Sequence, residues 1–209
     1  MLGRWTKAAP FTEPDLGLLQ RRDPTALRRM VNRHHGSMVG LARSILRNAA
    51  AADDVVQEAW IAVIAGLPSF EGRAKLSTWM MAILVNKARA HARREGRYVP
   101  LLDADDPYDE VEGPERFDHT GHWRVAPDDL ETLTPERILA GREVWKQVRD
   151  QIDRLPAAQR AVLILRDVEG ADAAETADIL DLSAENQRVL LHRARIRLRR
   201  ALDDLSHRG

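Results

Sequence analysis

The strongest constraint on this chain is a long stretch that cannot pack. Pro100, Pro107, Pro114 and Pro127 punctuate it, and from Leu101 to Glu136 twelve Asp and Glu face only Arg116 and Arg124, a net charge of −10. No apolar period survives there, so the stretch reads as a linker, and the helical patterns on either side must fold as separate modules. Those flanks carry the opposite sign. Glu71 to Arg97 holds seven Arg and Lys against two Glu, a net of +5, and Asn186 to Arg200 holds six Arg and no acid. The formal charge of zero therefore averages over a basic, acidic, basic order, and it does not argue against a nucleic-acid partner.

With 209 residues the chain can build one medium domain or two small ones. It has no cysteine, which excludes disulfide frameworks, thiol catalysis and thiolate metal sites. No apolar run approaches the roughly 20 residues of a bilayer span, and Met1–Trp5 lacks a signal-peptide pattern. These features predict a cytoplasmic protein without membrane insertion. The first 22 residues read as a flexible segment. Asp23-Pro24 is a cap followed by proline at the first helical position. Leu27, Met30, Val31, Met38, Leu41, Ala42, Ile45 and Leu46 follow at helical spacing, with a possible break at Gly36. A second helix is expected to open at Asp53 or Asp54, where Asp54 and Gln57 fit a capping box, and to bury Val55, Val56, Ala59, Trp60, Val63, Ile64 and Leu67. Ser77 is a candidate cap for a third helix that buries Trp79, Met80, Ile83 and Leu84 and runs into the basic segment. After the linker, Thr134-Pro135 restarts helix, and further helices are expected over Ala157–Asp167, Asp172–Leu180 and Ala184 to about Leu205. Strand and hairpin signals are weak. The fold class is all-α.

The end of the chain has helix-turn-helix organisation: a short helix, the turn Ile179–Ser183 and a long basic helix. Asp172 and Glu175 have capping-box spacing, and Ser183 can cap the last helix. Leu191, Ala194, Leu198, Leu202 and Leu205 form its inward stripe. Arg188, Arg193, Arg195, Arg199 and Arg200 lie mostly off that stripe and can meet phosphates or base edges. A solvated Arg-rich face on an ordinary amphipathic helix is the plain alternative. Six arginines without an acid, placed directly after a turn, favour DNA.

Two blocks then match one family. Leu155–Gly170, Ala174–Ser183 and Leu190–Arg199 resemble region 4 of extracytoplasmic-function (ECF) sigma factors. Asp53–Trp60 resembles their region 2.2, and Phe70–Trp79 with Ile83, Asn86, Arg93 and Arg94 resembles regions 2.3 and 2.4. The resemblance covers about 23–97 and 136–205. It implies region 2 over 23–98, an acidic linker over 99–134 and region 4 over 135–209. It also implies a non-catalytic initiation subunit that binds core RNA polymerase and promoter DNA, with no cofactor, no metal and no catalytic residue of its own. An anti-sigma protein is the further partner it suggests. Residue by residue, it assigns Asp53, Asp54, Gln57 and Glu58 to the polymerase. Arg73, Lys75, Asn86, Lys87, Arg93 and Arg94 fall to the −10 element, and Ser183, Asn186, Arg188, Val189, His192 and Arg193 to the −35 element. Two departures stand out. The family's usual glycine in the helix-turn-helix turn is Asp181. The start of the recognition helix, usually Thr-Val-Lys-Ser-Arg, is Asn186-Gln-Arg-Val-Leu190, which implies a different −35 preference.

The linker fits this reading. The two promoter elements lie roughly 70–80 Å apart on one duplex at 3.4 Å per base pair, and 36 residues reach about 120 Å. Its acidity suits either a basic channel of the polymerase or a solubilising spacer, with Trp123 as a possible anchor. Trp79 could stack on a flipped base, but its stripe with Met80, Ile83 and Leu84 favours the core, as for Trp60. Competing functions find less support. No P-loop, GxGxxG, GxSxG or HExxH pattern is present, and the seven histidines are scattered. A stand-alone helix-turn-helix regulator would need a ligand or receiver domain in front, and an RNA-binding protein would need an RNA module.

Overall fold

The computed structural model describes residues 16–46, 48–96 and 148–206, with side chains through Ala201. The linker over 99–134, the helix restart at Thr134-Pro135 with Ile138, Val144 and Trp145, and Trp123 lie outside the described residues. Every regular element among those described is helical. In order these are α1 (Leu16–Gln20), α2 (Pro24–Leu46), α3 (Ala49–Gly66), a 3-10 turn (Leu67–Ser69), α4 (Leu76–Arg94), α5 (148–153), α6 (Ala157–Leu163), a π-helical turn (Ile164–Val168), α7 (Ala173–Leu180) and α8 (Ala184–Ser206).

Helices α2, α3 and α4 pack against one another as a bundle. Met30, Met38, Leu41, Val55, Val56, Val63, Met80, Met81, Leu84 and Val85 are fully buried between them. Each such side chain contributes roughly 1.5–3 kcal/mol of transfer free energy. Asp23 caps α2 as its sequence implies, its Oδ1 accepting from the Ala26 amide at 2.8 Å. No break occurs at Gly36, and α2 runs unbroken through it. A glycine inside a helix costs about 1 kcal/mol, which burial of Met30, Met38 and Leu41 on either side outweighs.

Two helix starts differ from expectation. Helix α3 opens at Ala49, not at Asp53, because Asn48 accepts from the amides of Ala50 and Ala51. The alanines that follow carry the helix into the aspartates, so Asp53 and Asp54 stand in its second turn rather than at a capping box. Helix α4 opens one residue before Ser77, with Lys75 at the cap position and no side-chain cap bond. Ser77 is buried, and its hydroxyl donates instead to the Glu169 carbonyl at 3.2 Å.

Residues 12–104 and 156–191 form one compact unit. Within it, α6 and the π turn lie on α2, and α7 lies on α4. The helix expected over Ala157–Asp167 is α-helical only to Leu163. It then widens into the π turn, closed by Glu169 N–H to Ile164 O at 2.9 Å. The capping box at Asp172 is present in both directions, with Glu175 N to Asp172 Oδ1 and Asp172 N to Glu175 Oε2 each at 2.8 Å. The other unit comprises residues 1–11, 105–155 and 192–209. Its described parts are α5 with the turn to Leu155 and the distal part of α8.

Candidate nucleic-acid interface

The turn of the helix-turn-helix rests on one unusual backbone. Asp181 adopts φ 55° and ψ 51°, the left-handed conformation that glycine supplies at low cost. It ends α7, and the Leu182 amide folds back to the Ala177 carbonyl at 2.9 Å. Ser183 then caps α8, its Oγ accepting from the Asn186 amide at 3.1 Å. Gln187, Leu190, Leu191 and Ala194 are the buried positions at the start of α8. At about 100° per residue these four share an arc of roughly 100°. Asn186, Arg188, Val189, His192 and Arg193 fall outside it. Arg188 and Val189 are exposed, while Asn186, His192 and Arg193 are half-buried. Leu190, which replaces a charge of the family pattern, is therefore a core residue and presents nothing outward. Burial, with the Arg195 guanidinium nearby, holds the His192 imidazole below its ordinary 6.5, so the ring is neutral at pH 7.

On the bundle, α4 carries Asn86, Lys87, Arg93 and Arg94. Positions seven apart recur on one helix face, so 86 lies near 93 and 87 near 94. Asn86, Arg93 and Arg94 are exposed, and Lys87 is half-buried. Arg73 and Lys75 are exposed in the loop before α4. Arg73 Nη2 pairs with Glu71 Oε2 at 2.6 Å, and Lys75 Nζ donates to the Gly170 carbonyl at 2.7 Å. Trp79 is half-buried. Its ring packs against Phe70 with centroids 4.8 Å apart, and a Cβ on Gly66 would stand 2.9 Å from its Cζ2. The indole is thus committed to the bundle. Trp60 is buried too, with Nε1 donating to His35 Nδ1 at 3.3 Å.

The acidic group lies on α3. Asp53, Asp54, Gln57 and Glu58 are all exposed. Asp53 approaches Arg43 and Glu58 approaches Lys87, each at 3.6 Å. Glu58 of the polymerase set and Lys87 of the −10 set are therefore neighbours. Sequence reasoning missed Ile61, which is 70% exposed on the stripe of Asp54, Gln57 and Glu58. The available signal was an isoleucine off the inward stripe of its helix. Among the described residues no cluster of three or more His, Asp or Glu could hold a metal, and no helix is long and apolar enough to cross a membrane.

Comparison with known proteins finds two family regions in the chain. Residues 30–98 match the profile of sigma-70 region 2, and residues 145–198 that of sigma-70 region 4. The chain is 31% identical over 178 residues to the ECF RNA polymerase sigma-E factor of Haemophilus influenzae, covering 85% of this chain and 87% of that one. It is 31% identical over 187 residues to the RNA polymerase sigma-H factor of Pseudomonas aeruginosa, covering 90% and 91%. The sigma-E factor of Escherichia coli K12 is 30% identical over 179 residues, covering 85% and 86%. Among solved structures, the sigma factor RpoE in complex with the anti-sigma factor NepR from Bartonella quintana overlaps with a TM-score of 0.47 at 22% identity, covering 84% and 96%. With the curated relatives 30–31% identical over 85–90% of this chain, and with regions 2 and 4 in their order, the chain belongs to the ECF family of RNA polymerase sigma factors.

Proposed function

We propose that the chain binds core RNA polymerase through the outer stripe of α3 and directs it to promoters. Asp53, Asp54, Gln57 and Glu58 form the polymerase contact, and Ile61 supplies its apolar centre. Arg73, Lys75, Asn86, Lys87, Arg93 and Arg94 hold the −10 element as it melts, since unpaired strands are held by cations along the backbone. The Ser183 cap and the outward arc of α8 meet the −35 element: Ser183, Asn186, Arg188, Val189, His192 and Arg193. Arg188 can take a guanine edge, Val189 a thymine methyl, and neutral His192 can both donate and accept. The chain has no catalytic role of its own, acts in the cytoplasm at the nucleoid, and is held by an anti-sigma protein when idle. The domain limits are 23–98 and 135–209, joined by the acidic 99–134.

The observation that carries this reading is the presence of region 2 and region 4 in order on one chain. A stand-alone regulator shares only the second. Transcription in vitro with purified core enzyme tests it. Core plus this protein is expected to start transcripts that neither starts alone, while the free protein retards promoter DNA negligibly. Arg188→Ala lowers initiation from −35-dependent promoters, and Arg93→Ala with Arg94→Ala slows open-complex formation. A chain that binds its promoters equally well without core, and adds nothing to core, is a stand-alone regulator instead.

A further inference from the structure

Helix α8 sets one acid among its arginines. From Leu182 to Leu202 there are six Arg and a single carboxylate, Glu185. The local fold fixes where that carboxylate points. Ser183 caps the helix, so Glu185 is the second residue of α8. Gln187, Leu190 and Leu191 are the buried positions around it. At about 100° per residue, Glu185 stands roughly 170° from the centre of that buried arc, Val189 roughly 150° and Arg188 roughly 110°. All three are exposed. Glu185 is therefore the most outward of them, on the face whose other two positions are offered to base edges. Among the described residues it makes no ion pair, although Arg188 lies three positions on.

A carboxylate in the first helical turn suits the macrodipole. That accounts for an acid in the turn, but not for its place at the crest of a surface that must meet phosphates. Recognition helices present their N-terminal residues to base edges in the major groove. There an ionised carboxylate is repelled by the phosphates of both strands, and it can only accept hydrogen bonds. The major-groove donors are the N4 amino group of cytosine and the N6 amino group of adenine. Adenine sets its N7 acceptor beside N6, against the second carboxylate oxygen. Guanine offers O6 and N7, and thymine O4, all acceptors. The order for a carboxylate is thus cytosine first, adenine second, guanine and thymine last. We propose that Glu185 is a specificity residue: it accepts from N4 of one cytosine in the −35 element and excludes guanine and thymine there. Affinity is given up for discrimination, as a repulsive group against wrong partners does. The inference rests on the −35 role proposed above for α8. Side chains three apart on a helix have Cβ atoms about 5–6 Å apart, and base pairs rise about 3.4 Å. The cytosine therefore lies within about two base steps of a guanine taken by Arg188.

The test uses core polymerase with the full chain on a promoter pool whose −35 element is randomised, and sequences the templates that yield transcripts. The unmodified chain is expected to enrich cytosine about tenfold over guanine and thymine at one position, the scale of one good base contact. Glu185→Ala levels that position and leaves the others as they were. Glu185→Gln keeps the size and moves the preference to adenine, because an amide pairs with N6 and N7 together. Arg188→Ala relaxes a guanine within about two base steps of the cytosine. A base profile unchanged by Glu185→Ala overturns the proposal. So does a fall in output that is equal on every template, since Glu185 would then serve only the helix start. Transcripts whose profile lacks the cytosine overturn this inference alone. A pool that gives no core-dependent transcript overturns the proposed function, and this inference with it.

Discussion

Asp181→Gly is expected to stabilise the helix-turn-helix by about 1 kcal/mol. Asp181 is exposed and held at φ 55°, ψ 51° at the end of α7. A left-handed backbone costs an L-residue roughly 1–2 kcal/mol, and aspartate somewhat less because its short polar side chain is tolerated there. A carboxylate at a helix C-terminus also opposes the macrodipole, at about 0.3–1 kcal/mol. Against these gains, glycine adds unfolded-state freedom worth about 0.4–1 kcal/mol. The balance is near 1 kcal/mol, or about 2–4 °C in Tm for a chain of this size. Asp181→Asn separates the terms, since it keeps the backbone tolerance and removes only the charge. Asp181→Val pushes the other way, because a β-branched residue at this φ is an outlier. Urea denaturation followed by circular dichroism reads all three as midpoint shifts at constant slope. A neutral or destabilising Asp181→Gly, or an unharmed Asp181→Val, would show that the left-handed turn does not persist in solution.

Two further predictions concern the bases of the DNA surfaces. His192 titrates below 6.5 in the folded chain, so between that lowered value and 6.5 the unfolded chain binds more protons. Its contribution to stability is therefore present above 6.5 and is lost as pH falls from about 6.5 through the folded value. Denaturation at pH 7.5 and 5.5 is expected to show a slope that His192→Asn reduces. On the bundle, Gly66→Ala sets a methyl 2.9 Å from Trp79 Cζ2. The resulting overpacking costs about 1–3 kcal/mol and displaces the indole from Phe70, which thermal melts and indole fluorescence detect.

Much of the architecture was legible because it is written locally. The Asp23 cap, the capping box at Asp172 and the Ser183 cap each lie within four residues of what they bind. The errors share a cause. Ser77 looked like a cap because serine before an apolar run usually is one; its hydroxyl instead serves Glu169, ninety-two residues away. Asp53 and Asp54 looked like a helix start because the alanines before them carry no pattern, although Asn48 had already begun the helix. At Leu190, alignment to the family pattern suggested a contact position, while the helical arc of Gln187, Leu191 and Ala194 places it inside. Docking of α6 on α2 left no local trace, since Gly40 and Ser44 read as neutral helix residues. Only a partner 116 residues on, Arg160, gives Ser44 its role.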